Sequence, residues 1–75
     1  MRKVKDLKVG ELVVLPEGSE VMNSRSEISS FIAESNVRAR VYSIKHNGST
    51  IRLGISKDSV LAVYCNRDDE VEVIS

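Results

Sequence analysis

The chain has one cysteine, Cys65, one proline, Pro16, no tryptophan and no net charge. A lone cysteine excludes an internal disulfide and any zinc site built on cysteines, and it fits a reducing, cytoplasmic setting. No apolar run approaches the ~18 residues of a membrane span. The basic start, Arg2, Lys3, Lys5 and Lys8, is not followed by the apolar segment of a signal peptide. Phe31, Tyr42 and Tyr64 are the only aromatic residues, so the core must be aliphatic. At 75 residues the chain is near the lower limit for one self-sufficient core. One domain is expected, with homodimerisation as a source of further burial. Hydrophobic residues at 41% and charged residues at 29% are ordinary for a folded protein.

What is present reads as strand. Residues 1–10 form a polar lead-in that closes at Gly10. Glu11–Leu15 is rich in β-formers and stops at Pro16. Pro16-Glu17-Gly18-Ser19 has turn chemistry, with a fixed φ at proline and a tolerated positive φ at glycine. Glu20–Asn23 adds a second short strand. The period then changes. Ser24 and Glu27 have capping-box spacing, and Ile28, Phe31 and Ile32 fall on one helical face. These predict a short amphipathic helix over Arg25–Ser35, with Asn36 as its stop. Val37 onward alternates again, and Val60–Cys65 and Glu70–Ile74 read as the last two strands, joined by an Asn66–Asp69 turn. The expected fold is mainly β, a small antiparallel sheet or barrel of five or six strands with that one helix.

Charge is unevenly spread. Residues 37–57 hold five basic side chains, Arg38, Arg40, Lys45, Arg52 and Lys57, and no acid, which leaves six basic against eleven acidic residues elsewhere. Asn47-Gly48 is a hairpin signal, so this stretch reads as a basic hairpin suited to an anionic partner. Its register matters. A two-residue Asn47-Gly48 loop would put Arg38 and Arg40 on the face of Ile51, Leu53 and Ile55, burying charge. A three-residue loop, Asn47-Gly48-Ser49, gathers Arg38, Arg40, Tyr42 and Arg52 on the opposite face, and is the expected register. Arginines there would fork to phosphate, and a tyrosine would stack an unpaired base. The blander reading is a solvated strand face whose charges discourage edge pairing.

Enzymatic chemistry has little to stand on. His46 sits alone beside a turn, Cys65 ends an apolar strand as a small core or dimer-interface residue, and Asp68-Asp69-Glu70 lacks the ligand spacing of a calcium loop. No catalytic residue, metal or cofactor is assigned.

Ile51-Arg52-Leu53-Gly54-Ile55, followed after four residues by Val60-Leu61-Ala62-Val63-Tyr64, resembles the carbon storage regulator family (CsrA/RsmA), small bacterial proteins that bind messenger RNA and control translation. Val41–Lys45 with Asn47, and Leu12–Leu15 with Gly18-Ser19-Glu20, are similar to its other strands and turns. A helix at 25–35 is similar to the variant carrying a helix between its second and third strands. The resemblance covers about residues 11–70 and implies a homodimeric RNA-binding regulator of bacterial or phage origin. It departs at the family's RNA-reading positions. Pro16-Glu17 replaces Thr-Arg-Arg, and Tyr64-Cys65-Asn66 replaces His-Arg-Glu, with Arg67 two places later. Recognition of single-stranded RNA or a hairpin loop would then fall to Arg38, Arg40, Tyr42, Lys45, Arg52, Tyr64 and Arg67. The alternative is an SH3-like small-barrel interaction module, such as a viral or mobile-element modulator of a host protein. In it Lys8–Leu15 would be the first strand and Pro16–Asn23 the binding loop. Zero net charge favours this second reading.

Overall fold

Alternating burial organises the chain into nine strands among the described residues of the computed structural model: 1–24, 30–58 and 60–74, with Ser30 and Phe31 as backbone alone. The strands are β1 (Arg2–Lys3), β2 (Leu12–Leu15), β3 (Glu20–Asn23), β4 (Ser30–Ile32), β5 (Val37–Arg40), β6 (Ser43–Asn47), β7 (Thr50–Gly54), β8 (Leu61–Asn66) and β9 (Glu70–Val73). They form two sheets, one ordered β1-β9-β2-β5 and the other β4-β3-β8-β7-β6, with every pairing antiparallel. The fold is mainly β as expected, but the described residues form nine short strands rather than five or six, in two sheets with open edges rather than one closed barrel.

Period-2 alternation explains the core. Val13 and Leu15 on β2, Ala39 on β5, Ile51 and Leu53 on β7, Val63 on β8 and Val71 on β9 all point inward and are buried. Their aliphatic side chains meet with no buried polar or charged residue among the described residues. The Cα radius of gyration, 11.3 Å, matches the ~11 Å of a compact chain of this length.

The lead-in belongs to this core. β1 pairs with β9, and a single 3-10 turn at Val4–Asp6 drops Val4 and Leu7 into the interior. Val4 N–H donates to the Asp69 carbonyl at 2.8 Å, and Lys5 N–H to that of Arg67 at 3.1 Å. Lysines flanking Val4 and Leu7 hide these two apolar anchors in the sequence.

The expected helix over Arg25–Ser35 is not what its described half forms. Residues 25–29 lie outside the described residues. Ser30–Ile32 is strand β4, with Val21 opposite Phe31 and Glu20 opposite Ile32. The ladder runs on through Ala33, whose N–H donates to the Ser19 carbonyl and whose carbonyl accepts from Gly18 N–H, both at 2.9 Å. Pairing with β3 satisfies this backbone better than an isolated turn of helix, which is unstable at such length. Asn36 does not stop a helix; its Oδ1 accepts the Glu17 N–H at 2.9 Å. The Pro16–Ser19 turn forms as its sequence indicates, with Gly18 at φ 91° and Ser19 N–H reaching the Pro16 carbonyl.

The basic hairpin also differs from expectation. Its loop is Gly48-Ser49, flanked by the Asn47–Thr50 pair, with Gly48 at φ 64° as a two-residue loop favours. The loop is two residues, not three, so Ile51 faces His46 and Leu53 faces Ile44. Arg38 and Arg40 still avoid the core because 37–47 is not one strand. The chain changes sheets at Val41-Tyr42. Val41 N–H donates to the Glu11 carbonyl in the first sheet, while Tyr42 N–H donates to the Gly54 carbonyl in the second. Fully buried Val41 pins this corner. Arg38 and Arg40 on β5 pair opposite Val14 and Leu12 of β2, and take no part in the hairpin.

Candidate nucleic-acid interface

The corner at Val41-Tyr42 divides the seven residues expected to read RNA. Arg38 and Arg40 are exposed on the first sheet, where Arg40 Nη1 donates to the Gly10 carbonyl at 2.7 Å. Tyr42 is exposed at the corner itself, 41% accessible. On the second sheet, three of the seven come together. Lys45 of β6 lies opposite Arg52 of β7, and Arg52 lies opposite Tyr64 of β8. Directly opposed residues project from the same side of a sheet, so the three stand side by side on one outer face. Tyr64 is 54% accessible and its ring is the exposed aromatic surface of this row.

Arg52 is positioned rather than loose. Its Nη2 donates to Ser24 Oγ at 2.9 Å, which draws the guanidinium along the outer face. Gly54 and Ala62, paired with each other, are the small residues of the adjoining row, and Ala62 is buried. The row on the other side is polar: Asn47 opposite Thr50, and Thr50 opposite Asn66. Thr50 Oγ1 donates to the Asn47 carbonyl at 3.0 Å, while the Asn47 and Asn66 side chains face solvent. A cation–aromatic row edged by amides can hold a phosphate, stack a base and offer hydrogen bonds to its edge.

Arg67, the seventh residue, sits in the β8–β9 turn. Its N–H donates to the Ser49 carbonyl at 3.1 Å, tying that turn to the hairpin loop. With Lys5, Gly48, Ser49, Asn66 and Asp68 it lines an open depression of about 550 Å³ beyond the end of the row. Lys5 approaches Asp68 at 3.8 Å and Lys3 approaches it at 4.0 Å, so this cationic rim is partly neutralised. Sequence reasoning missed Asn47, Thr50 and Asn66 as a set, because three residues on three strands become neighbours only once the register is known.

Two acids carry clear environments. Glu11 accepts the Lys8 N–H at 2.6 Å and pairs with Arg2, and these donors hold its carboxyl below the usual range. Burial pushes the Cys65 thiol up, and the nearby Asp69 carboxylate adds to that shift. Among the described residues no group of three or more His, Cys, Asp or Glu is placed to hold a metal ion. Nor is any helix among them long and apolar enough to cross a membrane. No family model, curated protein or solved structure matches the chain.

Proposed function

We propose that the chain binds single-stranded or loop RNA and acts in post-transcriptional control, with Lys45, Arg52 and Tyr64 as the contact row. The observation that carries this reading is the cross-strand alignment of those three side chains on one exposed face. Tyr64 stacks an unpaired base, and Arg52 and Lys45 take the flanking phosphates. The short resemblance of the 51–64 stretch to the carbon storage regulator family supports the choice of RNA and of translation as the process. Arg38 and Arg40 are left out of the row, since they belong to the other sheet.

The charge count sets the scale. Two neutralised phosphates on a single strand give a log–log salt slope of about −1.4, a loss of about sevenfold between ~50 and ~200 mM salt. Fluorescence anisotropy with a labelled single-stranded RNA and with an RNA hairpin measures this slope. A flat salt response, or no binding to either RNA, contradicts the proposal. A pull-down from lysate with and without RNase separates RNA from a protein partner, because only RNA-mediated capture is lost with the nuclease.

A further inference from the structure

Where the two sheets part, a second surface has the opposite charge. A groove of about 280 Å³ runs between the end of β2 and the Pro16–Ser19 turn on one side and β8 with the β8–β9 turn on the other. Its floor is apolar, from Leu15, Val63 and Val71, all buried in the core. Half-buried Cys65 adjoins that floor, and Pro16 and Tyr64 form exposed apolar walls. The rim carries Glu20, Asp69 and Glu70 and no basic residue. None of these carboxylates joins an ion pair among the described residues. Asp69 Oδ2 accepts the Asn66 N–H at 3.0 Å, which holds this carboxylate in the β8–β9 turn.

We infer that this groove binds an extended peptide segment that presents an arginine or lysine beside an apolar residue. The apolar floor takes the aliphatic side chain, the three carboxylates attract the cation, and the Tyr64 ring offers its face to it. The volume lies just below the ~300 Å³ at which small-molecule pockets begin, so one or two side chains fill it and a nucleotide does not. Its negative rim also repels a phosphate chain, so RNA on the neighbouring face does not enter. The inference goes beyond the RNA reading and does not rest on it.

The test is an NMR titration of the 15N-labelled full chain with a capped hexapeptide of arginine, leucine and proline, beside the same peptide with glutamate for arginine. Amide shifts at Ser19, Glu20, Tyr64, Cys65 and Glu70 are expected for the arginine peptide alone. The double substitution Glu20→Gln, Glu70→Gln, both exposed and remote from the core, is expected to weaken binding about three- to tenfold while its melting curve and RNA affinity stay unchanged. Three results overturn the inference: no shift at ~1 mM peptide, equal shifts with the glutamate peptide, or the same shifts on concentrating the protein alone. The last would assign the groove to a second copy of the chain. Tyr64 borders both surfaces, so the two readings are told apart at Lys45 and Arg52, which only RNA should shift, and at Ser19 and Glu20, which only the peptide should shift. Failure of either titration then leaves the other interpretable.

Discussion

The outer row on β6–β8 and the groove between the sheets differ in charge, yet one strand supplies both. β8 turns Tyr64 outward beside Arg52 and turns Val63 and Cys65 inward toward the groove floor. A period of two residues thus separates a cationic surface from an anionic one within three consecutive positions. Zero net charge hides this division. It is better understood as two local fields of opposite sign than as a neutral surface.

The largest expected effect removes the support common to both. Leu53→Ala, at a fully buried position, is expected to cost about 2–5 kcal/mol, a large share of the stability of a domain this small. Urea denaturation measures it, and loss of both surfaces together should follow. Next, Tyr64→Ala is expected to lower RNA affinity by about 5- to 150-fold, the range of one base–aromatic stack. The same substitution on the Tyr42 side, at the sheet corner, should leave RNA affinity within a factor of two or so, since that ring is outside the row. Lys45→Gln should act more mildly. It removes one phosphate contact and should reduce the magnitude of the salt slope by about 0.7 without touching peptide binding in the groove.

The smallest effect is read at Cys65. Its thiol is held protonated by burial and by Asp69, so alkylation by iodoacetamide near pH 8 should be slower than for free cysteine. Unfolding releases that restraint. The unfolded chain therefore loses this proton at lower pH than the folded one. Stability from this group is complete below the ordinary thiol pKa and declines as pH rises through the raised folded value. Cys65→Ser should flatten the alkaline limb of a stability–pH curve, and an unchanged limb would show that the thiol is not so held.

Local pattern made much of the fold legible. Leu12–Leu15 announces itself through β-formers, Thr50–Gly54 and Glu70–Val73 through alternation, and the strand ends through turn residues at Gly18, Gly48 and Asn66–Asp69. The change of sheets at Val41-Tyr42 does not, because Val37, Ala39 and Val41 keep their alternation up to it and Tyr42-Ser43-Ile44 continues with β-formers. What turns the chain is tertiary: Val41 is fully buried and its N–H bonds into the first sheet, while the Tyr42 N–H bonds into the second. Ile28, Phe31 and Ile32 fit a helical face and an edge strand almost equally over so short a span, and pairing with β3 decides for strand at 30–32. At the candidate interface, Lys45, Arg52 and Tyr64 were identifiable by type, but their adjacency required the register. The groove was less visible still. Asp68-Asp69-Glu70 reads as a solvated turn, and only the fold brings Glu20 and Pro16 across from it.

If the divided basic segment binds RNA as proposed, it does so through its second half, Lys45 and Arg52, with Tyr64 beside them. An NMR titration of the labelled chain with single-stranded RNA tests this most directly. Amide shifts are expected at Lys45, Arg52 and Tyr64, with Asn66 moving beside them, and quiet resonances at Arg38 and Arg40. Shifts centred on Arg38 and Arg40, or none at all, would contradict it.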